Sequence, residues 1–288
     1  IRTTTQYKEL LTDPELDAVA IATPVATHFE LALQALQAGK HVFLEKPLTE
    51  TSDQARQLIE EAEKRNLTLM VDHTFIFTGA VRKIKELIDD DGIGDIYYYD
   101  STRVNLGLVQ TDVSVIWDLA VHDLAILDFI FDEKPIAVSA TGMTHIPNRP
   151  ATVAHMSLFF DSPMIADIQV NWLAPVKVRQ TLIGGSRKMI VYDDLEPSEK
   201  IKVYDKGVTL GEDKEDIYKT LVGYRTGDMW APKLDEIEAL KSEASYFAEC
   251  IREGKIPVNG GEAGLTVVRA LEAATQSIEH RGQPIELS

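Results

Sequence analysis

Three short apolar runs, separated by helical patterns, dominate the beginning of the chain. They are Asp17 to Ala22, His41 to Leu44 and Thr68 to Val71. Runs this short without polar alternation are typical of strands that are buried on both faces of a sheet. The order strand, helix, strand, helix, strand predicts a parallel sheet with right-handed crossovers. We therefore expect the first part of the chain to be α/β.

Helix-start signals support this order. Thr27 and Glu30 form a capping-box pattern ahead of a helix that Gly39 would end. Thr51 and Gln54 repeat the pattern before a second helix. Both helices lie between predicted strands, where a parallel sheet needs its crossover connections.

A different pattern follows Val71. A helix from about 79 to 90, an extended stretch from 96 to 106 and a helix from about 114 to 131 precede a run of predicted strands. These strands lie near 137–144, 151–160, 164–172, 176–183 and 188–192. This pattern predicts a second α/β domain with an open, mostly antiparallel sheet. The predicted division places one domain at 1–73 and the other at 74–288.

The end of the chain adds a variable segment and two helices. The acid-rich stretch 193–219 is predicted to be a solvated hairpin or loop. Two closing helices are expected at about 234–253 and 262–280.

Composition excludes several classes of function. The net charge of −17 disfavours nucleic acid and anionic membrane surfaces as partners, because both attract clustered Lys and Arg. No apolar stretch approaches the roughly 18 residues that a membrane span needs, so we expect a soluble protein. A single cysteine, Cys250, permits no internal disulfide and no cysteine-based zinc site, which fits the cytoplasm.

The motif Glu45-Lys46-Pro47 comes directly after the second predicted strand. Ligands of open α/β sheets lie at the carboxyl ends of the strands, so Lys46 could reach a bound substrate. Pro47 restricts the backbone of Lys46 and would hold the ammonium group in a defined direction. The alternative is a surface lysine in a loop that needed a proline.

Thr23-Pro24 and His28 follow the first predicted strand in the same way and would face the same crevice. The alternative assigns Pro24 to a turn and Thr27 to a helix cap.

The predicted helix at 114–131 carries Asp118 and His122. Their four-residue spacing places both side chains on one helical face, and a carboxylate beside an imidazole raises its basicity, as a general base requires. The alternatives are an exposed helix pair or a hydrogen-bonded core histidine. A metal site is not predicted, because further ligands at a recognisable spacing are missing.

Together these residues resemble the Gfo/Idh/MocA oxidoreductases, the group of glucose-fructose oxidoreductase and inositol dehydrogenase. The resemblance runs along the whole chain. It is carried by IATPVATHFELALQALQAGKHVFLEKPL (21–48), VRKIKELIDDDGIGDI (81–96), WDLAVHDLAILDFI (117–130) and GEAGLTVVRALEAATQSIEHRGQPIEL (261–287). The E-K-P motif, joined to a D-x-x-x-H helix at this distance, is specific for the family.

The resemblance implies a nicotinamide enzyme with a partial, Rossmann-like dinucleotide-binding domain at 1–73. At 74–288 it implies a substrate-binding and oligomerisation domain whose open sheet carries the active-site floor and often the dimer interface. A substrate hydroxyl would lose its proton to His122 with help from Lys46, and Asp118 would orient the imidazole or the substrate. The resemblance also implies cofactor contacts, in the nicotinamide pocket or at the ribose, from Thr23, Pro24, His28, Glu45, Lys46 and Pro47.

Two family features are absent from these 288 residues. The first is the G-x-G-x-x-G turn, with the residue about 20 positions later that chooses between NAD and NADP. The chain starts where the second βαβ half of the family's dinucleotide-binding domain begins. We therefore expect these 288 residues to be a fragment that binds a dinucleotide poorly. The cofactor is NAD or NADP, with NAD favoured. The second is the R-F-x-P motif, whose place is taken by Phe75 to Gly79.

The substrate is expected to be a sugar. The segment Tyr224 to Lys233 is similar to a loop in a subgroup associated with nucleotide sugars, and its Arg225 and Trp230 suit a diphosphate and a base or sugar face. Arg103 and Asn105, on the strand before the catalytic helix, are further candidates. The alternative for the loop is a packed surface segment.

The favoured function is an NAD(P)-dependent dehydrogenase that acts on a secondary hydroxyl of a sugar, with the third carbon of a UDP-linked sugar preferred. Two alternatives share the fold, namely a glycosidase that retains its NAD and a non-catalytic sugar or dinucleotide sensor. A homodimer or homotetramer through the second sheet is expected.

Overall fold

The computed structural model describes residues 3–107, 109–110, 113–210, 222–236 and 238–287, with only the backbone described at 208–210 and 222–225. Its elements in chain order are α1 (Tyr7–Thr12), β1 (Ala18–Ile21), α2 (His28–Gln37), β2 (His41–Leu44), α3 (Ser52–Arg65), β3 (Leu69–Val71), α4 (Gly79–Asp89), β4 (Ile96–Leu106), α5 (Val121–Ile130), β5 (Ala137–Met143), β6 (Val153–Phe159), β7 (Ile165–Asn171), β8 (Leu173–Gly185), β9 (Met189–Asp193), β10 (Ile201–Leu210), β11 (Val222–Trp230), α6 (Ala239–Glu253), α7 (Gly261–Glu279) and β12 (Ile285–Glu286).

The chain divides into two compact units. The first comprises residues 1–78, 124–129 and 237–272, and the second comprises 79–123, 130–236 and 273–288. The first unit therefore includes α6 and much of α7, which the sequence-based boundary after residue 73 assigned to the second domain. Within the described ranges, no helix combines the length and the hydropathy that a membrane span needs.

The first unit contains a parallel sheet in the order β1-β2-β3. Ala18 lies opposite His41, and Val42 lies opposite Leu69. The three predicted strands are confirmed, with bounds within one residue. The outer edge of β3 is covered by the segment after α6, where the Val71 N–H donates to the carbonyl of Asn259 at 2.9 Å.

Of the two predicted capping boxes, the one at Thr51 forms only its N-cap half, because Oε1 of Gln54 has no hydrogen-bond partner in the described part of the chain. The Thr51 hydroxyl accepts the Gln54 N–H at 3.2 Å and begins α3. The box at Thr27 is wrong, because a 3₁₀ turn at Val25–Thr27 gives Thr27 a helical backbone and its hydroxyl donates to the carbonyl of Pro24 instead. Gly39 follows α2 with φ of +78°, as its predicted role after the helix requires.

The second unit is built on a nine-stranded sheet in the order β11-β10-β9-β8-β4-β7-β6-β5-β12. Its central strand, β4, pairs antiparallel with β8 and parallel with β7. The prediction of a mostly antiparallel sheet is confirmed.

The acid-rich stretch contributes to this sheet. β10 and β11 pair antiparallel, with Val203 opposite Trp230 and Gly207 opposite Arg225. The expectation of a loop at Tyr224 to Lys233 is therefore wrong up to Trp230, because the backbone groups of this segment pair with β10. Polar side chains gave it the appearance of a loop, although an edge strand accepts such side chains.

Candidate functional site

The carboxyl ends of the three parallel strands in the first unit lie side by side. The Glu45 N–H donates to the carbonyl of Ile21 at 2.9 Å, and the Asp72 N–H donates to the carbonyl of Leu44 at 2.7 Å. Residues that follow each strand thus meet at one edge of the sheet, where ligands bind in open α/β folds. Thr23 and Lys46 are on this edge, as the sequence predicted.

His28 connects two of these loops from inside the unit. Its Nδ1 lies 2.9 Å from the carbonyl oxygen of Pro47, and its Nε2 lies 2.8 Å from that of Thr23. The side chain is completely buried. The expected direct contact between His28 and a cofactor is therefore corrected, since both ring nitrogens are engaged by the backbone. His28 instead ties the loop after β1 to the loop that contains Lys46.

Glu45 and Lys46 are half-buried at the end of β2. One carboxylate oxygen of Glu45 accepts the Lys46 N–H at 2.9 Å, which fixes the carboxylate against the turn. Burial and the neighbouring carboxylate of Asp72 raise the pKa of Glu45 above its ordinary value. Exposed Thr23 and these two side chains offer hydroxyl, carboxylate and ammonium groups along one edge.

Sequence reasoning missed a buried polar cluster behind this edge. Oε1 of Glu243, on α6, accepts the His73 N–H at 3.0 Å and an Asn259 Nδ2–H at 2.9 Å. The same Asn259 amide donates to the carbonyl of Val71 at 2.6 Å. The cluster consists of Asp72, His73, Glu243 and Asn259. Its position after β3 could have indicated Asp72 and His73, but nothing in the sequence linked them to residues some 170 positions away.

Burial shifts two groups of this cluster strongly. Burial and the adjacent Asp72 raise the pKa of Glu243 to about 9, which favours the neutral carboxyl group at neutral pH. Burial lowers the pKa of His73 to about 4, so the imidazole is neutral. His73 is 3% exposed, and its ring nitrogens have no hydrogen-bond partner within the described part of the chain.

These two shifts give the fold opposite pH dependences. Because the pKa of Glu243 is raised in the folded state, this residue contributes to the free energy of unfolding. The contribution is fully present below about pH 4.5 and is lost as the pH rises toward about 9. The lowered pKa of His73 adds stability that is complete above about 6.5 and is lost as pH falls toward about 4. Between about pH 4.5 and 6.5 the two residues change the free energy of unfolding in opposite directions. The cluster therefore lowers stability with rising pH mainly from pH 6.5 to 9.

Glu243→Gln is expected to remove this loss of stability at alkaline pH. Glutamine keeps the Oε1 acceptor for the His73 N–H and has no carboxyl group to ionise. For one proton, the slope removed approaches about 1.4 kcal/mol per pH unit. Urea unfolding of both proteins at several pH values between 6.5 and 9 measures this slope.

The control is Glu249→Gln, because Glu249 lies on the exposed side of α6 beside Lys255. An unchanged slope in Glu243→Gln would contradict the buried, protonated carboxyl group.

The second unit positions Asp118 in an unusual helical turn. Ile116–Ala120 is π-helical and leads directly into α5, so the predicted helix at 114–131 is one segment of two kinds. π-Helical turns are frequent at functional sites. Oδ2 of Asp118 accepts the indole N–H of Trp172 at 3.1 Å. His122 follows in the first turn of α5.

Arg103 has a different environment from the one expected of a substrate ligand. Its guanidinium donates to both carboxylate oxygens of Asp123, at 2.8 and 3.1 Å, and the two side chains are 6% and 1% exposed. Burial opposes the charge of Arg103, but the Asp123 carboxylate raises the pKa of the guanidinium above its ordinary value. The expectation that Arg103 binds a substrate is therefore corrected, since its charge is neutralised inside the unit. The sequence spacing of 20 residues gave no sign of this pair.

The remaining substrate candidates lie apart within the second unit. Asn105 is half-buried at the end of β4. Its side-chain nitrogen lies close to Gly107, because a Cβ atom added to this glycine would be only 3.1 Å away. Trp230 ends β11 with 37% exposure, and Nζ of Lys188 lies 4.8 Å from its ring centroid. The side chain of Arg225 lies outside the described residues. In the described ranges, no group of three His, Cys, Asp or Glu side chains could hold a metal ion.

Comparison with known proteins assigns the family. Residues 1–73 match the family model described as "Oxidoreductase family, NAD-binding Rossmann fold", and residues 81–191 match the "GFO/IDH/MocA C-terminal domain". The chain belongs to the Gfo/Idh/MocA oxidoreductase family. The resemblance inferred from the E-K-P and D-x-x-x-H motifs is thereby confirmed.

Several dehydrogenases are related to this family member along most of its length. The NAD(+)-dependent scyllo-inositol 2-dehydrogenase of Bacillus subtilis is 25% identical over 97% of this chain and 80% of its own. The NADP(+)-dependent scyllo-inositol 2-dehydrogenase of the same organism is 27% identical, over 96% and 80%.

The UDP-N-acetylglucosamine 3-dehydrogenase of Acidithiobacillus ferrooxidans is 28% identical, over 92% of this chain and 80% of its own. Its solved structure aligns with a TM-score of 0.79 at 25% identity and covers 97% of this chain and 83% of that one. The chain is thus an NAD-binding oxidoreductase family member whose relatives act on inositols or a nucleotide sugar.

Proposed function

We propose that the protein is an NAD(P)-dependent oxidoreductase that transfers a hydride between a secondary hydroxyl of a sugar and a nicotinamide. The observation that carries this proposal is Lys46, half-buried at the carboxyl edge of a parallel sheet in a family of nicotinamide oxidoreductases. Two of the three relatives described above act on inositols and one on a nucleotide sugar. Among sugars we favour nucleotide sugars, because of Arg225 and Trp230.

The residues present fit the nicotinamide and ribose end of the cofactor. The hydroxyl of Thr23 is exposed, and Glu45 and Lys46 provide an acceptor and a donor for ribose hydroxyls at the same edge. Pro24 and Pro47 shape the two loops, and His28 ties these loops together. When bound, the nicotinamide ring supplies the hydride acceptor.

The chain's own residues then handle the proton. In this proposal His122 removes the proton from the sugar hydroxyl as general base, and Lys46 assists with its ammonium charge. Asp118 orients either His122 or the sugar. A base is needed because oxidation of an alcohol releases a proton as well as a hydride, and the ammonium charge of Lys46 would stabilise the negative charge that develops on the oxygen.

A turnover assay tests this function. The full-length protein is incubated with NAD or NADP and a panel of UDP-sugars, free sugars and inositols, and reduced nicotinamide is measured by absorbance. We expect turnover with at least one sugar, and faster turnover with NAD than with NADP.

Other results would indicate a different function. Hydrogen exchange at a sugar carbon without net NADH would favour the glycosidase that retains its cofactor. Cofactor binding without turnover or exchange would favour a sensor, although a sensor has no need of Lys46, Asp118 and His122. The oligomer through the nine-stranded sheet stays a prediction.

A further inference from the structure

One indole nitrogen holds the carboxylate of Asp118. Nε1 of Trp172 donates to Oδ2 of Asp118 at 3.1 Å. Trp172 is 1% exposed, so water does not compete for its N–H group. A hydrogen bond to a charged oxygen is stronger than one between neutral groups, and low local dielectric strengthens it further.

The backbone on both sides of this bond is fixed. The Trp172 N–H donates to the carbonyl of Thr152 at 3.0 Å, and the Trp172 carbonyl accepts the Gly107 N–H at 3.1 Å. On the other side, the N–H of Asp118 in the π-helical turn donates to the carbonyl of Ser114, four residues earlier, at 3.1 Å. The indole and the carboxylate therefore meet with little freedom on either side.

We propose that Trp172 is a positioning residue for Asp118, an inference that rests on the function proposed above. The indole acts on the reaction through the carboxylate, because its N–H group is directed at Oδ2. Without the indole N–H, the carboxylate of Asp118 loses one of the contacts that hold its rotamer, and it would spend more of its time in orientations that do not serve His122 or the sugar. Loss of the indole N–H should therefore lower kcat more than it raises KM.

The neighbouring tryptophan provides a matched control. Nε1 of Trp117 donates at 3.0 Å to the hydroxyl of Thr275, which is a neutral acceptor. Trp117 and Trp172 thus differ in the charge of the group that their indoles contact. With Trp230 they make up the three tryptophans of the chain.

Nuclear magnetic resonance of the indole N–H groups tests the contact without any need for activity. The three resonances are assigned with Trp→Phe variants. We expect Asp118→Asn to move the Trp172 resonance clearly upfield, because the acceptor loses its charge, and to move that of Trp117 much less. An unchanged Trp172 resonance in Asp118→Asn would overturn the contact.

Kinetics test the positioning role. Trp172→Phe keeps an aromatic ring in the buried site and removes the donor, and it should lower kcat roughly 10- to 100-fold with KM changed less than about threefold. Trp117→Phe should stay within about twofold of the wild-type kcat. Unchanged kcat in Trp172→Phe, or equal losses in both variants, would overturn the role. An inactive wild-type protein would overturn the proposed function, while the resonance comparison would still decide the contact.

Discussion

His122→Asn is expected to lower kcat about 10²- to 10⁴-fold, the range that a general base contributes. Asparagine is close to histidine in size but cannot accept a proton at neutral pH. Lys46→Met should cause a loss of similar order, because methionine keeps the length of the side chain and removes the ammonium charge. Steady-state kinetics with the best sugar from the panel measure both losses.

Two exposed residues provide matched controls for these variants. His155 is exposed on β6 in the same unit as His122, and Lys64 is exposed on α3 in the same unit as Lys46. His155→Asn and Lys64→Met should keep the wild-type kcat within about twofold. Full turnover by His122→Asn or Lys46→Met would refute the assigned chemistry.

Asp123→Asn is expected to lower the free energy of unfolding by roughly 3 to 5 kcal/mol, because it leaves the guanidinium of Arg103 buried beside a neutral group. The pair is almost completely buried, and Ser101 donates a further hydrogen bond to Oδ1 of Asp123 at 2.7 Å. Chemical denaturation with wild type and variant in parallel measures this change.

The exposed pair of Arg56 and Asp53 on α3 is the control. These side chains are 2.6 Å apart but 42% and 85% exposed, so Asp53→Asn should cost less than about 1 kcal/mol. A stable Asp123→Asn protein with a raised KM would support the sequence-based expectation that Arg103 serves the substrate.

The sequence was sufficient for the parts of the molecule that depend on local pattern. The runs that form β1, β2 and β3 are apolar on both faces. Ligands of open α/β sheets lie at the carboxyl ends of the strands, and this rule placed Lys46 at the correct edge of the sheet. The extended stretch that forms β4 was also predicted, at 96–106, but its place at the centre of the sheet was not. Lys46 could be identified because its position depends on the strand directly before it.

Features that depend on distant contacts could not be predicted. Trp172 lies 54 residues from Asp118, and Glu243 lies 170 residues from His73, so no spacing rule connects them. Arg103 was assigned to a substrate because charge alone does not reveal a buried partner. The Thr27 capping box failed because a short 3₁₀ turn precedes α2, and the π-helical turn has no sequence signal comparable to helical periodicity.

Transfer of a carbon-bound hydrogen to the cofactor is the most direct measure of the proposed chemistry. The full-length protein is incubated with NAD and a sugar that is turned over and carries deuterium on its ring carbons. The reduced nicotinamide is then analysed by mass spectrometry. The dehydrogenase proposed here predicts one deuterium in each reduced nicotinamide, and about 10²- to 10⁴-fold slower formation of this labelled product when His122→Asn replaces the wild type. Turnover that yields unlabelled NADH, or labelled NADH that forms at the wild-type rate with His122→Asn, would contradict it.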